Sequence, residues 1–205
     1  MELPRKGLNF ILSAPSAVGK STIISNLLAL DTQLQFSISV TTRQKRASEK
    51  HDIDYHYKTK DQFSNLIKQG AFLEYTDVYG NYYGTLTQDV LNIHKLGKDV
   101  LFDIDFKGAE SIKKTMPENS ISIFILPPSY VEVEQRLRQR NQDSESDMAR
   151  RLSEVKSYIS HYINYDYIIV NDNLEQAIQN IQAIITASRL QREHFLNLDQ
   201  YINNL

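Results

Sequence analysis

Lys20 and Ser21 close the run Ala14-Pro15-Ser16-Ala17-Val18-Gly19-Lys20-Ser21-Thr22, whose residue types and spacing suit the holding of phosphate. Successive backbone N–H groups can line a concavity that ends on a helix N-terminus. The lysine ammonium can reach the outer phosphates, and the serine hydroxyl can serve Mg²⁺. Apolar Leu8 to Ser13 precedes the run, and Ile23, Ile24, Leu27 and Leu28 follow it at helical spacing, so it reads as strand, loop and helix. The strict pattern opens on glycine where this chain has Ala14, which leaves the loop built around Gly19. The plainer alternative is a helix start with an exposed lysine. Further along, Arg43 and Arg46 offer planar guanidinium forks that can each bind two oxygens of an anion, and the phenols of Tyr55 and Tyr83 can donate outer hydrogen bonds to it. The plainer alternatives there are a solvated basic loop and a small aromatic core.

These residues need a scaffold, and the chain has the length and composition for one. Its 205 residues suffice for one sizeable core with small inserted pieces. Hydrophobic content of 41% and a net charge of −2 exert no general pull toward nucleic acid or acidic lipid, so an anion site must be built locally. The absence of cysteine excludes disulfides and thiolate chemistry, and the five histidines show no metal-ligand pairing. No apolar run reaches the length of a membrane span, and Met1 to Lys6 opens no export signal, so a cytoplasmic location is expected.

Four apolar runs, Leu8 to Ser13, Val100 to Ile104, Ile121 to Leu126 and Tyr167 to Val170, read as buried strands of a parallel sheet covered on both faces. Helix starts are marked by Thr59 with Gln62, Ser129 with Glu132, and Asn173 with Gln176, and helix ends by Gly70 and Gly97. The alternation predicts an α/β core. Phe36 to about Gly84 reads as a partly antiparallel insertion between the first and second core strands: Ser37 to Thr41 alternates, Tyr55-His56-Tyr57 is strand-like, and Gly80 to Gly84 is turn-rich. Asn141 to Ser146 interrupts two helical patterns, and the polar tail after Leu190 is either a helix end or an oligomer contact.

Thr41-Thr42-Arg43-Gln44-Lys45-Arg46, Ala71-Phe72-Leu73-Glu74, Gly80 to Thr85 and Asp103-Ile104-Asp105 follow the phosphate loop in order. With Ile123 to Ser129, Arg136-Leu137-Arg138, Arg150-Arg151-Leu152 and Ile169-Val170-Asn171-Asp172, the chain resembles guanylate kinase from about Asn9 to Leu190. The resemblance implies Mg²⁺-dependent transfer of the ATP γ-phosphoryl group to GMP, and to dGMP, with no nucleic-acid or membrane partner. It implies one α/β domain over residues 1–205: a P-loop parallel-sheet core (7–35 and 98–205), a small mixed GMP-binding subdomain (about 36–90) and a mobile helical lid (about 138–150). Glu74 would accept guanine N1–H and N2–H₂ together, whereas adenine's N1 lone pair would repel it.

By the same resemblance Ser39, Thr85 and Asp105 contact the base, and Arg43, Arg46, Tyr55 and Tyr83 the GMP phosphate. Ala14 to Thr22 and Asn171 bind ATP, with a helix cap as the other reading of Asn171. Lys20, Arg43, Arg140 and Arg151 are catalytic, with Arg136 and Arg138 secondary because Glu132 and Arg136 are spaced as a surface pair. Ser21 and Asp103 hold Mg²⁺, a helix cap being the alternative for Asp103. Ala17, Ser48, Gln139 and Asn141 stand where the family pattern has glycine. Alanine at position 17 is harmless at negative φ and costs about 1 kcal/mol at positive φ. Two rival classes remain open: a ribose-bisphosphate kinase, which needs no guanine contacts, and a silent module holding a phosphopeptide, for which an intact Lys20 would be superfluous.

Overall fold

The apolar run that follows Gly7 becomes a strand with every residue buried, because helices cover both of its faces. The computed structural model describes residues 3–78, 80–139 and 145–205, with the backbone alone at 139 and 145–151. The chain begins β1 (Asn9–Ser13), α1 (Lys20–Leu30), β2 (Leu34–Phe36), β3 (Val40–Thr41), β4 (His56–Tyr57) and α2 (Lys60–Lys68). It continues β5 (Phe72–Val78), β6 (Asn81–Leu86), α3 (Thr87–Lys95), β7 (Asp99–Asp103), α4 (Phe106–Thr115) and β8 (Ser120–Leu126). It ends α5 (Tyr130–Gln139), α6 (Glu145–Ile159), β9 (Tyr167–Val170), α7 (Leu174–Arg189) and α8 (Leu198–Ile202). No helix among the described residues is long and apolar enough to cross a membrane.

The core sheet is parallel in the order β2-β7-β1-β8-β9. Phe10 and Leu12 pack with Ile23 and Leu27 of α1 and Ile178 and Ile181 of α7, while Ile11 between them joins Val90, Ile93, Phe102 and Ile112 on the opposite face. Alternation across a doubly covered strand is why its centre, Phe10 to Leu12, is apolar without a break; each such side chain contributes about 1.5–3 kcal/mol of burial. The sheet has five strands, one more than the apolar runs suggest. β2 is three residues long with only Leu34 buried, an edge strand too short to show a period. The insertion therefore follows the second core strand rather than the first.

The inserted sheet runs β4-β3-β6-β5, with β3 antiparallel to β6, β6 antiparallel to β5, and β3 parallel to β4. Phe63 of α2 fills its face, stacked on Phe72 at 4.4 Å and on Tyr82 at 5.4 Å between ring centres. The segment expected as a turn is mostly strand: Gly80 makes the tight corner at φ +80°, and β6 begins at Asn81. Gly84 lies inside that strand because a Cβ there would meet the Glu74 carbonyl oxygen at 2.9 Å. The register shifts by one residue between Phe72 and Glu74, and both Leu73 and Glu74 are buried although they are consecutive.

Local signals hold as read. Thr59 and Gln62 form a reciprocal capping box, and the side chains of Ser129 and Asn173 accept from the N–H groups of Glu132 and Gln176. Gly70 and Gly97 end their helices at φ +63° and +70°. The tail after Leu190 folds back onto the chain's other end: Phe195 bridges Arg5, Lys6 N–H donates to the His194 carbonyl, and Leu196 N–H to that of Pro4. Beneath this seam the fully buried Asp99 carboxylate accepts from Arg5, from Arg189 Nε at 2.7 Å and from the Leu8 N–H at 2.9 Å.

Candidate active site

The phosphate loop leaves β1 and turns into α1 through two left-handed residues, Ala17 at φ +64° and Gly19 at φ +95°. Gly19 is required twice over, since a Cβ there would also meet Asn171 Nδ2 at 2.8 Å. The Val18 carbonyl oxygen is drawn away from the anion side of the loop by two donors, Asn171 Nδ2 at 2.7 Å and Arg136 Nη1 at 3.3 Å. That leaves the loop's N–H groups for a phosphate. Asn171 thus braces the loop, and the cap of α7 is Asn173.

Alanine at position 17 incurs the left-handed cost of about 1–2 kcal/mol. Its methyl group, however, packs with Val133, Leu137 and Val155, worth about 0.8 kcal/mol, and alanine also saves the 0.5–1 kcal/mol or so of unfolded-chain entropy that glycine would lose. The terms nearly cancel. Ala17→Gly is expected to shift the denaturant midpoint by less than about 1 kcal/mol, whereas Ala17→Val, β-branched at positive φ, destabilises by about 2 kcal/mol or more.

A cleft of ≈ 500 Å³ opens at the carboxyl ends of β1 and β7 beneath the inserted sheet. Ala14, Ser16, Lys20, Asp103 and Asp105 line it from the core, and Ser39, Tyr55, Glu74 and Tyr83 from the insertion. A second cleft of ≈ 380 Å³ lies on the other side of the loop, lined by Ala17, Gly19, Thr22, Arg136, Asn171 and Asp172. The phosphate loop is the wall between them.

Glu74 is 5% exposed, and Thr85 Oγ1 donates to its Oε1 at 2.7 Å. Burial, with the Asp105 charge adding to it, pushes the Glu74 carboxyl up to about 7. Asp105 caps α4, accepting from Gly108 N–H at 2.9 Å, so the cap expected as an alternative at Asp103 belongs two residues on. Asp103 instead pairs with Lys20 across the mouth of the loop. Tyr55 and Tyr83 meet edge to face at 6.0 Å, and burial raises the Tyr55 hydroxyl above its ordinary range.

Arg43 stands behind Tyr55, its guanidinium 5.4 Å from the ring centre and bonded to Glu49. Arg46 is exposed and outside the cleft lining, as is Ser21 on the first turn of α1. Pro15 and Val18 are buried in the loop. Arg136 does pair with Glu132, at 2.9 Å, but also reaches the loop as described; Arg138 pairs with Glu134. Arg140 lies outside the described residues, and of Arg151 only the backbone, in α6, is described. Of the lid expected over 138–150, residues 138–139 end α5, 140–144 lie outside the described residues, and 145–150 form the start of α6.

Sequence reasoning missed Glu49 and Tyr57, joined behind the cleft, and Thr76 and Tyr158, which line it. Tyr158 has the helical spacing of a core residue and nothing to set it apart. Glu49 sits among charges of both signs that read as a solvated loop.

Comparison with known proteins agrees with this geometry. The family model described as guanylate kinase matches residues 6–188. A guanylate kinase of Bartonella henselae is 44% identical over 201 residues, spanning 98% of this chain and 90% of the relative. One from Vibrio vulnificus is 47% identical over 190 residues, spanning 92% and 91%. The crystal structure of guanylate kinase from Anaplasma phagocytophilum superposes with a TM-score of 0.81 at 31% identity, over 98% of this chain and 96% of that one.

Proposed function

Because the chain belongs to the guanylate kinase family and phosphorylates GMP with ATP, we propose that the cleft beside Glu74 takes GMP and the one beside Asn171 takes the adenosine end of ATP. The phosphoryl group then passes across the loop that separates them. The observation that carries this reading is Glu74, a buried carboxylate set in a cleft wall with Thr85 hydrogen-bonded to one oxygen. Guanine's adjacent N1–H and N2–H₂ groups satisfy such a carboxylate, and adenine cannot. Ser39 and Thr85 serve the rest of the base edge, and Asp105 has a second oxygen to offer beside the one held by Gly108.

Arg43, Arg46, Tyr55 and Tyr83 hold the GMP phosphate, Arg46 swinging in from solvent as the inserted sheet closes over the core. Lys20 exchanges Asp103 for the outer ATP phosphates, and Arg140 and Arg151, by their motif positions, close over the transferring group. Phosphoryl transfer needs little covalent chemistry from the protein, so these charges act by alignment and electrostatic stabilisation. The Ser21 hydroxyl and the Asp103 carboxylate are hard oxygen donors, a set that fits Mg²⁺ completed by phosphate oxygens and water. Once bound, Mg²⁺ would neutralise charge on the β- and γ-phosphate oxygens.

We place the reaction in the cytoplasm, where both substrates are held, serving purine nucleotide metabolism, with dGMP accepted beside GMP. Residues 36–90 act as the acceptor-binding unit and 138–150 as the lid. ADP release measured with GMP, dGMP, AMP and UMP tests the reading. GMP and dGMP are expected to be turned over and AMP to be rejected by about 10⁴-fold; comparable turnover of AMP defeats it.

A further inference from the structure

The loop between β3 and β4 is organised around one carboxylate. Glu49 Oε1 accepts from Arg43 Nη2 at 2.7 Å, while Oε2 accepts from the Tyr57 hydroxyl at 2.7 Å and from the Arg46 N–H at 2.8 Å. Lys45 Nζ donates to the Glu49 carbonyl at 2.9 Å, and the Glu49 N–H to the Arg46 carbonyl at 3.1 Å, so the backbone around it is tied as well. Arg43 is fixed on three sides: by Glu49, by the Gln44 carbonyl that accepts from Nη1 at 2.7 Å, and by the Tyr55 ring beneath it. Tyr55 leads on to the cleft, with Tyr57 at 5.9 Å on one side and Tyr83 at 6.0 Å on the other. Glu49 itself does not line the cleft.

We propose that Glu49 is a positioning residue for the acceptor phosphate: it holds the guanidinium of Arg43 and the loop bearing Arg46 in the geometry that receives GMP, without touching the nucleotide. The inference rests on the reading of Arg43 as a phosphate ligand. A guanidinium has five N–H donors in a fixed fork. Glu49 and Gln44 take two of the five and the Tyr83 hydroxyl engages the guanidinium as well, so a phosphate takes the donors that remain beside Tyr83. A free arginine has many rotamers to lose, and an arginine already immobilised gives up fewer of them on binding. The pairing is maintained at every working pH. The Arg43 guanidinium holds the Glu49 carboxyl down to about 2, and burial, with Glu49 next to it, pushes the Tyr57 hydroxyl up to about 12. One group therefore stays an acceptor and the other a donor.

The opposite possibility is concrete. A carboxylate on Arg43 could compete with the incoming phosphate and weaken binding. Glu49→Gln keeps the shape and removes the charge, and so separates the two. Positioning predicts that KM for GMP rises about tenfold or more, while KM for ATP and the inhibition constant of guanosine, which has no phosphate, stay within about twofold. Tyr57→Phe, which removes one hydroxyl, should raise KM for GMP by a smaller factor, and Glu49→Asp should recover part of the loss. In an Arg43→Ala background, Glu49→Gln should raise KM for GMP by a clearly smaller factor than in the wild type, the remainder passing through the Arg46 loop, because residues acting as a unit are not additive. The proposal is overturned if Glu49→Gln leaves or lowers KM for GMP, if guanosine weakens equally, or if the effect persists in full without Arg43. Arg43→Ala alone distinguishes the layers. If it raises KM for GMP and Glu49→Gln does not, only the role of Glu49 falls; if it has no effect, the phosphate site falls and Glu49 with it.

Discussion

Replacing Glu74 by glutamine will lower kcat/KM for GMP by about 10³-fold and, at pH 8, make the free protein more stable. The catalytic loss follows from charge-assisted bonds to two guanine donors, each worth about 1.5–3 kcal/mol and both weakened when the carboxylate becomes an amide. The gain in stability follows from the same burial. With its carboxyl raised from 4.5 to about 7, the folded protein holds a proton between those values that the unfolded chain has released. The stability this provides is complete below pH 4.5 and is lost as pH rises through 7, a swing of about 3 kcal/mol. Glutamine can still accept from Thr85, cannot ionise, and can donate toward Asp105. Thermal unfolding of the unliganded wild type should therefore weaken from pH 5 to pH 8 more steeply than that of Glu74→Gln. In turn KM for GMP of the wild type should climb below pH 7, where the proton competes with the base. Equal pH slopes in the two proteins would show that Glu74 is already ionised in the folded state at pH 5, with no raised carboxyl.

Lys20→Ala is expected to reduce kcat by about 10²–10³-fold with KM for GMP nearly unchanged, because the ammonium acts on charge that develops at the ATP side of the loop. The variant should fold. Its partner Asp103 is about a third exposed, so leaving that carboxylate unpaired costs little. Lys20→Arg should not restore the rate, since a planar fork does not reproduce a compact point charge in a tight loop. Steady-state kinetics with both substrates varied, together with a GMP-induced rise in melting temperature retained in the variant, separate lost transfer from lost binding. A kcat within tenfold of wild type would remove Lys20 from the catalytic set.

Both residues could be picked out from the sequence, and so could much of the core, because their signals are local. A capping box such as Thr59 with Gln62 spans four residues, and a doubly covered strand such as β1 has an unbroken apolar centre. What escaped depends on where the chain returns. β2 has one buried residue and takes its place only by pairing with β7, more than sixty residues later in the chain. β6 looks like a turn because it carries glycine and asparagine, yet Gly84 is there for the close approach of β5, a neighbour invisible in the sequence of β6 alone. Asn171 meets Val18 across 153 positions. Glu49 is nearer its partners, but nothing in a loop bearing charges of both signs says which of them folds inward.

The slipped register at Phe72 and Glu74 has a consequence for how this selectivity could be lost or changed. Leu73 is the extra residue, and it lets a core-facing leucine and a cleft-facing carboxylate stand side by side in one strand. Deleting Leu73 would leave Phe72 and Glu74 on opposite faces in regular alternation, so the carboxylate keeps its side toward the cleft with Thr76, but the leucine that joins the core beside Val90 and Phe102 is lost. Selectivity in this protein can accordingly be weakened with the carboxylate itself unchanged, by slackening the neighbouring leucine that seats the inserted sheet on the core.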